Sequence, residues 1–231
     1  MPFSRTWQAA AIVHSSPPAY VHRQIMLGRS QQGRPIFAWE VGDPSATRRT
    51  LVVGAIHGNE PAGIAIARAL EHTRPPAHTV LWIVPDLNPD GVAAGTRQNA
   101  RGVDLNRNFS YGWRVLGPPG TTFYAGPHAL SERETRIAVK LVRRIRPTTS
   151  IWFHQHLDVV DDSGTRPGVA RRFAQLAGMG AARLASEPGS AVTWEDHILP
   201  AGAAFVVELP AGPVPSKRIA VFTRAIRALH S

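Results

Sequence analysis

The chain has 231 residues, 43% hydrophobic and 18% charged, which is enough apolar material for one sizeable core and argues against extended disorder. It contains no cysteine, which excludes disulfides, thiolate metal sites and cysteine nucleophiles, so any metal must be held by imidazole, carboxylate or water. The formal net charge of +10 comes almost entirely from arginine, since Lys140 and Lys217 are the only lysines; arginines scattered along the whole chain indicate a solvated basic surface suited to anionic substrates or cell-wall polymers, not a nucleic-acid stripe.

Residues 1–19 read as a loosely ordered N-terminal segment of a single domain spanning 1–231. The apolar stretch Ala9–Val13, after the lone basic residue Arg5, is too short for a signal-peptide core. No run reaches the roughly 18 apolar residues of a membrane helix. The sequence therefore predicts a cytoplasmic protein without membrane or nucleic-acid partners.

Tyr20–Leu27 and Pro35–Val41 read as two strands joined by a glycine-bounded turn from Gly28 to Gly33, a hairpin at a sheet edge. Thr50–Ile56 is apolar throughout, as in a strand covered on both faces. His57-Gly58-Asn59-Glu60 follows directly, and beyond Pro61 the helical spacing of Ile64, Ala67 and Leu70 predicts a helix to His72. Val80–Val84 predicts a further strand, ending in the turn-rich Pro85–Gly91.

A long irregular stretch then reaches about His128, a length that points to function. Ser131 and Glu134 fit a capping box, and Ile137, Leu141, Val142 and Ile145 give the following helix an apolar face to about Arg146. Ser150–Phe153 reads as a buried strand with His154 at its carboxyl end, and Ala203–Leu209 as another that contains Glu208. Val169, Phe173 and Leu176 mark a helix between them. Ile219, Phe222, Ile226 and Leu229 mark a docked amphipathic helix at the end. Apolar strands alternating with helices predict a three-layer α/β/α sandwich around a mixed, mainly parallel sheet. Ligands in such sheets gather beyond the carboxyl ends of the strands, which is where His57, His154 and Glu208 fall.

A catalytic zinc site takes three protein ligands and keeps one position open. His57 and Glu60 are candidates for two of them, brought together by a tight turn at a strand end. His154 arrives from a neighbouring strand, with His156 as the competing third ligand. His-x-x-Glu alone is a weak signal, because Glu60 also suits a helix N-terminus. Glu208 interrupts an apolar run where an unpaired carboxylate is costly, so it needs a partner such as a reacting water, for which it would be the base. The segment Gly102–Phe109, preceded by Arg97 and Arg101, is the densest polar signal. There an arginine with a neighbouring asparagine can grip a carboxylate, and a second arginine can stabilise an oxyanion.

In the order Gly28-Arg29-Ser30, Gly54–Glu60, Asn88-Pro89-Asp90-Gly91, Gly102–Phe109, Ser131–Thr135 and Phe205–Pro210, the chain resembles the zinc carboxypeptidases of the pancreatic type, particularly their small bacterial branch of murein-peptide amidases. The resemblance implies one zinc ion on His57, Glu60 and His154, with Glu208 as the catalytic glutamate. It also implies that Asn106 and Arg107 bind the terminal carboxylate, and that Arg101, with Arg97 as the near alternative, polarises the scissile carbonyl. The implied activity is hydrolysis of an amide next to a free carboxylate, in a cell-wall peptide joining γ-D-glutamate to diaminopimelate. Two departures stand out. Gly189–Ala204 lacks the tyrosine that closes over substrate in the larger family, leaving Trp194, Glu195 or His197 in that region, and position 59 is asparagine where the pancreatic enzymes carry arginine. Zinc-dependent deacylases of N-acyl amino acids share the His-Gly-Asn-Glu loop and the Asp-Leu-Asn-Arg segment, and are the alternative. A non-catalytic basic binding protein is a third reading.

Overall fold

The computed structural model describes residues 20–229, so the segment 1–19 lies outside the described residues. Seven strands, β1 (Val21–Arg29), β2 (Pro35–Gly42), β3 (Arg48–Val53), β4 (Thr79–Val84), β5 (Thr149–Asp161), β6 (Gly180–Ala182) and β7 (Ala203–Pro210), form one sheet. The order is β1-β2-β4-β3-β5, with β7 beside β5 from its start and β6 beside its far end. The predicted edge hairpin is β1 and β2, antiparallel, and β2 also runs antiparallel to β4. The pairings of β3 with β4 and of β5 with β3, β6 and β7 are parallel.

Alternation along the central strands divides the core in two. Leu51, Val53, Trp82, Val84 and Trp152 face one layer, which contains α3 (Arg133–Ile145) and α5 (Ala191–Ile198). Val52, Leu81, Ile83, Ile151, Phe153 and Val207 face the other, built from α1 (Ala62–Glu71), α4 (Pro167–Ala177) and α6 (Ser216–Ala228). Strands buried on both faces carry consecutive apolar residues, which is why Leu51–Val53 of β3 and Val80–Val84 of β4 read as unbroken runs.

Four local expectations are corrected. The strand predicted to reach Ile56 leaves the sheet at Gly54, whose N–H donates to the Val84 carbonyl at 2.9 Å; a Cβ at Gly54 would lie 2.4 Å from the Pro85 carbonyl oxygen. Ser131 and Glu134 form no capping box, because α3 begins after Glu132 without a side-chain cap. Their side chains are committed elsewhere: Ser131 receives Asn108 Nδ2 and donates to Glu132, while Glu134 accepts from Gln31 N and Asn99 Nδ2. The irregular stretch contains helix α2 (Pro89–Ala94) and a 3₁₀ turn, Leu105–Arg107. Finally, β5 continues past His154 to Asp161, and α5 was not foreseen.

Candidate active site

The carboxyl ends of β3, β5 and β7 converge on a cavity of about 300 Å³ lined by His57, Glu60, Arg97, Asn106, Arg107, His154, Glu187 and Glu208, among others. The loop carrying His57 and Glu60 is locked by its neighbours. Asn88 caps α2 through Oδ1, which accepts from Gly91 N, and its Nδ2 donates to the Ile56 carbonyl. Gly58 lies so close to α2 that a Cβ there would sit 1.9 Å from the Gly91 carbonyl carbon. Asp90 is held in turn by Ser30 Oγ, Gln32 N and Arg34 Nη1. The Gly-Arg-Ser and Asn-Pro-Asp-Gly motifs thus buttress the loop and touch none of the chemistry.

His57, Glu60 and His154 are buried and each offers one ligand atom, all within 4.8 Å of one another. Glu60 Oε2 lies 2.9 Å from His154 Nδ1 and 3.0 Å from His57 Nδ1. On its other edge His57 Nε2 meets Asp104 Oδ1 at 2.9 Å. A carboxylate there requires the proton on Nε2, which leaves the Nδ1 lone pair directed at the triad. That Nδ1 is buried without a hydrogen-bond partner, as is one oxygen of Glu208. Two imidazole nitrogens, one of them buried without a partner, and one carboxylate fit a zinc ion.

Charge in this cluster is tightly balanced. Burial opposes ionisation of Glu60, but the contacts from His154 and His57 outweigh it and hold its carboxyl far below the usual range. For Asp104, burial is likewise outweighed, by His57 and then by Arg97 and Arg107. Burial dominates at His154 and lowers its pKa, which keeps it neutral, as a ligand must be. For His57 the burial penalty is outweighed by Asp104 and Glu60, and its pKa rises.

Arg97 ties the cluster together: Nε donates to Asp104 Oδ2 at 2.9 Å and Nη1 to Glu60 Oε1 at 2.8 Å. Arg101 lies outside the cavity with its side chain 47% exposed, and its Nε is 3.8 Å from Glu132. Of the two arginines, the structure places Arg97 beside the triad and Arg101 on the flank of the loop. His156 is exposed while His154 is buried at the triad. Asn106 and Arg107 both line the cavity. Asn106 Oδ1 accepts from Ala191 N at the start of α5, an anchor that orients the carboxamide. Arg107 Nη1 donates to the Asn106 carbonyl, and Nη2 is 3.2 Å from Glu187. Glu208 pairs in register with His154 across β7 and β5 and completes the lining.

Neither Trp194 nor Glu195 stands over the cavity. Trp194 is a core residue packed on Phe109, and Glu195 is buried against Ser150 and Trp152. His197 stacks on Tyr111 at 4.0 Å. The wall in this region is instead the loop before α5, including Ser186, Glu187 and Ser190. Asp104 and Glu187 were missed by sequence reasoning. Asp104 stood inside the densest motif without a role; nothing local to Glu187 marks it, because a loop from a distant part of the chain brings it there.

A zinc carboxypeptidase family model matches residues 10–188. The chain belongs to the zinc carboxypeptidase family. Within that family it is 32% identical over 158 residues to murein peptide amidase A of Escherichia coli K12, a match covering 63% of each chain, so that it spans under two thirds of this relative's length. The crystal structure of murein-tripeptide amidase MpaA from Escherichia coli O157 superposes with a TM-score of 0.73 at 26% identity, covering 94% of both chains. Carboxypeptidase A from Helicoverpa armigera shares the fold, with a TM-score of 0.76 at 17% identity over 91% of this chain and 68% of that one. These matches establish the α/β/α architecture of the chain independently of its site geometry.

Proposed function

We propose that this protein hydrolyses an amide bond beside a free carboxylate, and that its substrate is a murein peptide cleaved between γ-D-glutamate and diaminopimelate. The observation that carries the reading is the joint presence, in one cavity, of the His57–Glu60–His154 triad, the free carboxylate of Glu208 and the Asn106–Arg107 pair. The two similar murein peptide amidases support the substrate class, and a basic surface suits a polyanionic peptide.

His57, Glu60 and His154 would hold the zinc ion, which would supply Lewis acidity toward a carbonyl and lower the pKa of water toward about 7. The chain's own residues do the rest. Arg107 and the Asn106 carboxamide seize the terminal carboxylate and fix the scissile carbonyl near the triad. Glu208 takes the proton of the attacking water and returns it to the leaving nitrogen. Arg97, whose Nη2 takes part in neither of its carboxylate contacts, stabilises the developing oxyanion, the role that the sequence alone gave to Arg101.

The test is mass spectrometry of zinc-loaded protein incubated with L-alanyl-γ-D-glutamyl-diaminopimelate, with a Glu208→Ala control and an N-succinylglutamate sample. Release of diaminopimelate by the wild type alone is expected. An intact tripeptide with cleaved succinylglutamate would move the chain to the N-acyl amino acid deacylases.

A further inference from the structure

Phe123 is an apolar ring with 51% of its surface exposed, set against two arginines that line the cavity, so burial does not explain its place. Two guanidinium groups lie over this one ring: Arg97 Cζ is 5.4 Å and Arg107 Cζ 5.3 Å from its centroid. Among the described residues no other ring carries two guanidinium groups. They belong to the two arginines lining the cavity.

Part of the in-plane edge of each group is already engaged. Arg97 donates to Asp104 and Glu60, and Arg107 to the Asn106 carbonyl, with Glu187 alongside. Those contacts hold the edge of each guanidinium, and a ring lying under its Cζ adds a restraint on the tilt of the group. The negative face of the ring also offsets the repulsion of two nearby cations. The ring is itself held in place. Tyr124, next in the chain, accepts from Asp104 N at 2.9 Å, and Gln98 Nε2 donates to the Thr122 carbonyl at 3.0 Å. The segment bearing Phe123 is thereby fastened on both sides to the one bearing Arg97 and Asp104.

We propose that Phe123 is a positioning residue that sets the tilt of both Arg97 and Arg107, coupling the grip on the substrate carboxylate to polarisation of the scissile carbonyl. This rests on the function proposed above. It distinguishes an aromatic requirement from a merely apolar one, so the decisive variants are Phe123→Leu and Phe123→Tyr.

With the murein tripeptide, Phe123→Leu is expected to raise KM through Arg107 and lower kcat through Arg97, for a combined fall in kcat/KM of about tenfold or more. Phe123→Tyr, which keeps the ring, is expected to restore both. With the peptide amidated at the carboxylate next to the scissile bond, the KM effect disappears and the kcat effect persists. Wild-type kcat and KM in Phe123→Leu would overturn the proposal. So would equal impairment of the Leu and Tyr variants, which would show that the loop and not the ring is responsible. A readout free of turnover separates this inference from the functional one. The NMR order parameters of Arg97 and Arg107 Nε in the zinc-loaded protein should fall in Phe123→Leu and hold in Phe123→Tyr. If the wild type cleaves nothing, the functional reading fails, while unchanged order parameters in Phe123→Leu would sink the positioning role by themselves.

Discussion

Single atoms decide the chemistry of this site, and the clearest case is the carboxylate behind a ligand. Asp104 is fully buried and accepts from His57 Nε2, Asn106 N and Arg97 Nε. It therefore fixes the His57 tautomer and the loop geometry together. Asp104→Asn keeps the shape but removes the charge, and its amide can face His57 with a donor. We expect zinc affinity to fall by about 10- to 100-fold, measured by competition with a chromogenic chelator; unchanged affinity would mean that the triad alone sets the imidazole. The two arginines make a second test at this scale. Arg97→Lys loses the fork that spans Asp104 and Glu60, so kcat should drop by about 100-fold, with zinc content confirmed by mass spectrometry. Arg101→Ala, outside the cavity, should leave kcat and KM within about twofold. The reverse pattern would restore Arg101 to the role for which the family resemblance preferred it over Arg97.

At the scale of elements, the site depends on backbone segments pressed together more closely than side chains allow. The His57–Glu60 loop packs onto α2 at Gly58, where a Cβ would meet the Gly91 carbonyl carbon at 1.9 Å. Both contact atoms belong to backbone, so neither can swing aside. Gly58→Ala should cost about 3 kcal/mol or more, a fall in Tm of roughly 6–12 °C, with zinc loading lost in step; calorimetry showing a wild-type Tm would mean that α2 is not fixed. This packing also explains what was legible. Strands buried on both faces and helices with one apolar face announce themselves by periodicity, and β4, α1, α3 and α6 were read on that basis. The triad was legible from the apolar runs that precede His57 and His154 and from the ordered motifs, although His154 lies within β5 and not at its end. α5 escaped because Ala191–Ile198 mixes buried Trp194 and Glu195 with polar surface positions, and its start is defined by Ser190 and by the distant Asn106. The side chain of Ser131 went to its neighbour Glu132 and to the distant Asn108, and that of Glu134 to Gln31 and Asn99, pairings that no local pattern encodes. Arg97 and Arg101 are four residues apart on one loop, and only its folded path places one inside the cavity.

The whole molecule is two apolar layers clamped to one sheet, and a titratable group sits inside the clamp. Glu195 on α5 is buried against β5, where Ser150 Oγ and Trp152 Nε1 donate to it. Burial is the main influence and raises its pKa; the two hydrogen bonds lower it and Asp196 raises it further, leaving it at about 7. The unfolded chain releases this proton near the ordinary glutamate value of 4.5. Between those two values the native state binds more protons than the unfolded one, so stability falls as pH rises from about 4.5 to about 7 and then levels off. Glu195→Gln mimics the protonated acid at every pH. The variant should match wild type near pH 4 and exceed it at pH 8 by about 3 kcal/mol, or roughly 6–12 °C in Tm. Asp86, raised to about 6 chiefly by its burial, adds a slope of the same sign, but it is present in both proteins and cancels in the difference. Thermal melts of the two proteins across this range measure that difference directly. Parallel curves would mean that Glu195 stays charged in the folded state, with the clamp between α5 and the sheet held by an ionised group instead of a proton.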